Sequence, residues 1–396
     1  LNRAKWYQWH SWVGLKLAIL ICFVLVTGTF ATVSHELDWL TNPAMRVSQI
    51  ENNSVNWSAI YSAARAQDPQ AQIEAINGPV DPWFAAEVVY RLPDGNRGRW
   101  FFHPETAQFQ GQGRWYNWQR FFRMTHRHLM MPIPIGVTLV SLTALLMLTS
   151  LVTGLGLHKK WWKGLWRLPR RNNAKVFWGD LHRLLGLWGS WLLLLLCVTG
   201  IWYLLEQWGL RADYPDDGRP VTELAKEQRV LPRPEVFALM LRELGQQRPD
   251  MRIGRVLMPF AMDRGVRIEG QAGQLLVRDR ANNMVFDPVS GAALSSRYGG
   301  ELGLHVRISE AADPLHFGTF GGLPTKILYF VFGAVLSTLA LSGTYIYGMR
   351  AARISRRSDK PISQSWSATW QGMGGWRWVT VGLLFVFLML IPTSFA

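Results

Sequence analysis

Imidazole is a strong metal ligand and is costly in lipid, so histidines at the ends of apolar runs ask for a reason. Two such stretches of this chain repeat each other. Residues 10–15 read His10-Ser11-Trp12-Val13-Gly14-Leu15, and residues 182–187 read His182-Arg183-Leu184-Leu185-Gly186-Leu187. Each opens a long apolar run, and a Thr-Gly pair follows 17 residues after each histidine: Thr27-Gly28 and Thr199-Gly200. Gly14 and Gly186 stand four residues after the histidines, on the same helical face. A missing side chain one turn deeper leaves room for a flat macrocycle against the backbone. Haem iron in an electron-transfer site takes axial protein ligands, of which His is one option. The other reading makes both histidines interfacial polar residues and the glycines mere points of helix approach. The recurrence of the spacing favours the first.

A second pair follows from the same repeat. His126 precedes the second apolar run and His316 the fourth. His126 lies 28 residues before Gly154, and His316 lies 27 before Gly343. His128 rivals His126, because two residues on a helix point about 200° apart and only one can face a bundle. An ordinary polar collar, Met124-Thr125-His126-Arg127-His128, is the alternative for this pair. His158 is an alternate for the inner pair, although its counterpart in the repeat is Met349. His35 reads as an interface residue, and His103 and His305 as surface histidines.

The elements that must position these residues are membrane spans. Segments 13–33, 132–157, 184–205 and 327–349 are apolar and long enough for a hydrocarbon core about 30 Å thick. Only the first holds a charge, Lys16; a fifth segment, 379–395, is shorter and contains Pro392. The net charge of +15 has a location. Segment 36–131 holds nine Arg/Lys and nine Asp/Glu, and segment 207–324 fifteen of each. The surplus lies in 1–16, 158–183 and 349–377, with His158-Lys159-Lys160-Trp161-Trp162-Lys163 and the group Arg350, Arg353, Arg356, Arg357, Lys360 the densest. Short basic loops stay in the cytoplasm. The N-terminus and both basic loops are therefore expected inside, and 36–131 and 207–324 outside. Topology thus accounts for the basic character, and nucleic-acid binding is not expected.

The repeat unit is span, outside domain, span. The second and fourth spans close on Thr153-Gly154 and Ser342-Gly343, each followed by a basic exit. The expected fold is an integral membrane α-helical bundle of four duplicated transmembrane helices plus a fifth, with two small α+β periplasmic modules. The expected divisions are helix 1 at 1–35, module 1 at 36–131, helix 2 at 132–157, a basic loop at 158–182 and helix 3 at 183–206. Module 2 follows at 207–324, helix 4 at 325–349, a basic loop at 350–376 and helix 5 at 377–396. Within the modules, 57–66 and 233–247 read as helices, and 83–92, 99–102, 264–269, 274–278 and 283–286 as strands. Phe102-His103-Pro104-Glu105-Thr106-Ala107 and Phe286-Asp287-Pro288-Val289-Ser290-Gly291 read as a turn used twice.

Several chemistries are excluded. Cys22 and Cys197 both lie in apolar spans, so neither a disulfide framework nor covalent Cys-x-x-Cys-His haem is expected. No Gly-rich phosphate loop, Ser-His-Asp set or His-Glu-x-x-His occurs. Electrons entering from inside would need a separate donor. The chain begins with Leu, so its natural start is expected upstream, and the first apolar run reads as a retained helix, not a cleaved signal.

The phrases around His10 and His182, with Leu315-His316-Phe317-Gly318, Gly321-Gly322-Leu323-Pro324 and the turn at 286–291, resemble the PepSY-associated transmembrane family over residues 5–350. Some members are inner-membrane reductases of iron–siderophore complexes. The resemblance favours His126 over His128, because members carry a His before a Leu-rich run, and it disfavours His158. It implies an enzyme of the bacterial inner membrane with two haem b groups, held by His10 and His182 and by His126 and His316. Its partners would be the lipid bilayer, a periplasmic iron(III)–siderophore substrate and a separate electron donor. Arg248, Arg252 and Arg255 could attract an anionic chelate, a solvated face being their plainer role. Rival readings are a permease for iron chelates or haem, and a non-enzymatic membrane anchor.

Overall fold

The apolar runs fold as helices, and the first does so in two pieces. The computed structural model describes residues 2–48, 54–158, 160–213, 230–259, 265–352 and 361–395. Lys159, Arg264, Arg353, Arg356, Arg357 and Lys360, noted above, lie outside these. Helix α1 (Arg3–Lys16) begins at Asn2, whose side chain accepts the Lys5 amide at 2.9 Å. It breaks at Leu17, and α2 (Ala18–Thr32) leaves at 69° to it. The expected single helix over 13–33 is thus a bent pair. The bend falls next to the one charge of the run, and Lys16 Nζ donates to the carbonyl of Gly372 at 2.9 Å. Beyond the bend, within α2, Thr27, Thr29 and Thr32 donate to carbonyls three or four residues back.

Helix α3 (Ser34–Thr41) follows, then α4 (Trp57–Gln67) and strands β1 (Gln72–Asn77), β2 (Ala86–Arg91), β3 (Arg97–Phe102) and β4 (Phe109–Arg114). Helix α5 (Trp118–His128) leads into α6 (Ile133–Gly156), and α7 (Ala174–Gln207) follows the basic loop. The second half repeats the order with α8 (Pro234–Gln247), β5 (Arg252–Leu257), β6 (Val266–Gln271), β7 (Asn282–Phe286) and β8 (Ala293–Arg297). Helices α9 (Leu304–Phe317), α10 (Gly322–Ala351), α11 (Pro361–Gly372) and α12 (Trp376–Phe395) complete the chain.

Among the described residues α6, α7 and α10 are each long and apolar enough to cross a membrane. The pairs α1–α2 and α11–α12 qualify only as bent spans, the second bent by 98°, so the number of crossings is three to five. That second turn passes through Gly374 at φ +59°, a left-handed conformation that glycine adopts without strain.

The chain divides into a helical unit, Leu1–Ser34, Arg120–Arg211 and Leu315–Ala396, and a sheet unit, His35–Gln119 and Ala212–Pro314. Residues 120–131 and 315–324, which sequence patterning put in the modules, belong to the helical unit. This brings His126, His128 and His316 among the spans.

In the sheet unit the two expected modules share one antiparallel sheet of eight strands, ordered β4-β3-β2-β1-β5-β6-β7-β8. The halves meet where β1 pairs with β5, Ile76 opposite Val256. Both α4 and α8 pack on one face. Tyr61 and Phe237 meet there at 4.6 Å between ring centroids, over a core that includes Ile76, Trp100, Ile268 and Phe286. The strand expected at 274–278 is a turn, with Leu276 at φ 55°. The repeated turn phrase is one structure used twice. The Ala107 amide donates to the His103 carbonyl and the Gly291 amide to that of Asp287, both at 2.9 Å, with Ala107 at φ 56° and Gly291 at φ 78°.

Candidate cofactor site

Helices α1 and α7 carry His10 and His182, and the bundle places the two rings 6.2 Å apart between centroids, at 70° to each other. Each ring sits in a seat on a neighbouring helix, and the seats are alike. On α6, His10 Nδ1 lies 3.0 Å from the Ser150 carbonyl and 3.2 Å from Thr153 Oγ1. On α10, His182 Nδ1 lies 3.1 Å from the Leu339 carbonyl and 3.0 Å from Ser342 Oγ. In both seats the carbonyl comes four residues before a glycine, and the hydroxyl one residue before it. The glycines, Gly154 and Gly343, have no Cβ because the ring occupies its place: a Cβ there would lie 3.2 Å from His10 Cε1 and 3.0 Å from His182 Cε1. A carbonyl only accepts, so each Nδ1 carries the proton, and each Nε2 keeps a free lone pair.

The second pair uses parts of this construction. His126 on α5 and His316 on α9 stand 6.1 Å apart between centroids, at 38°. His126 Nδ1 donates to the Val24 carbonyl at 2.9 Å, four residues before Gly28. A Cβ on Gly28 would lie 2.7 Å from His126 Cε1. His316 Nδ1 lies 2.7 Å from Thr199 Oγ1, whose own proton goes to the Leu195 carbonyl at 2.9 Å. Thr199 therefore accepts from His316, and its neighbour Gly200 faces Ala144. All four rings hold the Nδ1–H tautomer through an outer partner, the arrangement by which proteins orient imidazole ligands.

The other histidines fall elsewhere. His128, the rival of His126, is 8% exposed with Nδ1 lacking a hydrogen-bond partner, and it does not meet His316. Leu129 and Met130, immediately after it, both hold positive φ, 52° and 58°, in the turn from α5 to α6. Two such non-glycine residues in a row are strained and mark a constrained place. His158 lines the same cavity as His10 and His182. His103 Nδ1 accepts the amides of Glu105 and Thr106 at 3.3 Å, so it serves the turn. His35 lies in α3 and His305 in α9.

Beside His10 and His182 is a cavity of about 970 Å³. Gly14 and Gly186, expected to make room, both line it, and a Cβ on Gly14 would meet nothing within 4 Å. Its deeper wall is apolar, with Val13, Leu25, Leu151, Leu193 and Leu336. Arg3, Arg170, Lys175, Arg183 and Arg350 also line it. Groups of three or more His, Cys, Asp or Glu able to hold a bare metal ion are absent among the described residues. The imidazoles come in twos.

Sequence reasoning missed the seats: the carbonyls of Ser150, Leu339 and Val24, the hydroxyls of Thr153, Ser342 and Thr199, and the glycines at 28, 154 and 343. Their signal was present as four Ser/Thr-Gly pairs.

Comparison with known proteins gives a consistent placement. The chain is similar to an uncharacterized protein of Pseudomonas aeruginosa, 27% identical over 246 residues, which are 57% of this chain and 62% of that protein. The aligned part is thus less than two thirds of that relative. The description "PepSY-associated TM region" matches residues 7–350, which take in both histidine pairs, their seats and the cavity lining apart from Arg3 and Ala4. The chain belongs to the PepSY-associated transmembrane family.

Proposed function

We propose that this membrane protein is an oxidoreductase that holds two haem b groups and passes electrons outward to a periplasmic iron(III) chelate. The observation that carries the reading is the pair of facing imidazole couples, 6.2 and 6.1 Å between centroids, each ring fixed through Nδ1. A metal–imidazole bond is about 2 Å, so rings at this separation suit a single atom bound by Nε2 of both. The inner site also offers a roomy, apolar, glycine-lined cavity with cations at its edge. That donor set and cradle fit a flat acidic macrocycle better than a bare ion.

Bound haem supplies reversible one-electron chemistry. The chain's residues do the rest. His10, His182, His126 and His316 supply Nε2 lone pairs. The Ser/Thr-Gly seats fix ring rotation and tautomer, and apolar side chains such as Leu151, Leu193 and Leu336 exclude water. Along α7, His182 and the seat of His316 at Thr199 are 17 residues apart, about 25 Å at 1.5 Å per residue. The two couples therefore serve opposite halves of a core about 30 Å thick. The chelated iron is substrate, and its reduction weakens its hold on hard oxygen ligands and lets it go. With the basic loops in the cytoplasm, electrons enter at the His10–His182 side from a separate donor.

The test is the visible spectrum and haem content of protein purified from haem-replete cells. Low-spin b-type bands reducible by dithionite, at two haems per chain, are expected. His10→Ala and His126→Ala should each remove one haem and spare the other. A colourless preparation overturns the reading.

A further inference from the structure

The cavity beside His10 and His182 is charged on one side only. Five cations line it, Arg3, Arg170, Lys175, Arg183 and Arg350, and Asp180 is the one acid among its described lining residues, a surplus of four positive charges. Asp180 is 6% exposed and already shared. Arg170 donates Nε to Asp180 Oδ2 at 2.8 Å and Nη2 to Oδ1 at 3.3 Å, and its backbone amide reaches Oδ2 at 3.2 Å. Arg183, one turn along α7, places Nη1 3.4 Å from Oδ1. Arg183 Nε is buried and lacks a hydrogen-bond partner, a costly state for a charged donor. Arg350 is held in place by Tyr7, donating Nη1 to its hydroxyl at 2.6 Å. An occupant that matches these walls is apolar at depth and carries acid groups at one end.

We propose that Asp180 is a positioning residue that holds Arg170 and Arg183 as a fork, and that this fork receives the carboxylates of the macrocycle seated at His10 and His182. The inference rests on the haem reading and adds the direction in which the ligand lies: propionates toward the basic rim. Guanidinium–carboxylate pairs are strong and directional, so the fork sets both affinity and orientation.

The test uses the full chain in detergent with His126→Ala, so that only the inner site reports. Haem-stripped protein is titrated with haem and with haem dimethyl ester, which lacks the charges, and read at the Soret band. Haem should bind at least about tenfold more tightly than the ester. Arg170→Ala and Arg183→Ala should abolish that preference by weakening haem alone, and Asp180→Asn should reduce it part-way. Unchanged ester binding shows that the variants fold. Equal affinity of the unsubstituted fork for both ligands overturns the proposal, as does an equal loss of both ligands in the variants. If neither ligand binds at all, the haem reading itself falls and the fork with it.

Discussion

Three of the four imidazoles, His10, His182 and His126, take the place of an absent Cβ on the next helix, so the smallest substitutions are the sharpest probes. The distances rank them. A Cβ at Gly28 would lie 2.7 Å from the His126 ring, at Gly343 3.0 Å from His182 and at Gly154 3.2 Å from His10. We expect Gly28→Ala to displace His126 and empty the outer site while sparing the inner one. Gly343→Ala should do the reverse, and Gly154→Ala should do so more mildly. Haem per chain and the reduced-minus-oxidised spectrum read all three. If Gly28→Ala retains both haems, His126 is not a ligand. Removing the Thr199 hydroxyl by Thr199→Val takes away the acceptor of His316 Nδ1–H, and such outer partners are worth about 10–100-fold in metal affinity. At this scale the sequence was informative about types and mute about partners. The four Ser/Thr-Gly pairs were visible as a repeat, because a duplicated helix repeats its letters. What they face depends on how each helix is rotated in the bundle, and spacing along one helix does not encode that. Geometry could say that His126 and His128 point apart; the Val24 carbonyl and Gly28 decide that His126 meets His316.

Helix α5, which carries His126, is anchored at its other end by a buried acid. Asp38 on α3 accepts the amides of Trp118 at 2.7 Å and Gln119 at 3.1 Å, capping the first turn of α5. Burial pushes the Asp38 carboxyl up to about 6, although the two amides and Arg99 pull it down. A raised folded pKa means that folding takes up a proton. The stabilisation from protonated Asp38 is therefore present at low pH and lost as pH rises from about 4 through about 6. Asp287 works in the opposite sense. Burial raises its carboxyl, but hydrogen bonds from Ser290 and Val289 outweigh that and hold it below the usual range. The informative quantity is thus the difference between wild type and Asp38→Asn. Thermal unfolding followed at pH 4.5 and pH 7 should show wild type gaining more, relative to the variant, at the lower pH. A difference that is constant with pH rejects the assignment. Elements differ in how legible they were. The long spans follow from hydropathy alone, since an unbroken apolar run of that length satisfies its own backbone in lipid only as a helix. The break at Leu17 had a single cue, Lys16. Strand β1 was missed because a bulge between Ile73 and Ala75 breaks its alternation, and β4, Phe-Gln-Gly-Gln-Gly-Arg, has no β-branched residue. The run Leu275-Leu276-Val277 imitates a strand but sits in a turn.

For the whole molecule, the proposed direction of electron flow depends on which face of the membrane each segment occupies. The two segments expected outside carry equal numbers of acids and bases, nine against nine in 36–131 and fifteen against fifteen in 207–324. The +15 surplus is left in the short basic stretches, which resist translocation. Two exposed sites can report this. Leu275 in the sheet unit is 82% exposed, and Trp166 in the 158–173 loop is 84% exposed. The native cysteines lie within α2 and α7, Cys197 fully buried, and give a low labelling background. In spheroplasts, a membrane-impermeant maleimide should label Leu275→Cys and leave Trp166→Cys unmodified until the membrane is opened. The reverse pattern would put the basic rim of the cavity, and with it His10 and His182, on the outer side. On the proposed reading an iron chelate outside would then face the cationic cavity, and electrons would have to enter at His126 and His316. On the proposed reading, the labelling pattern therefore decides which couple is donor and which is acceptor before any rate is measured.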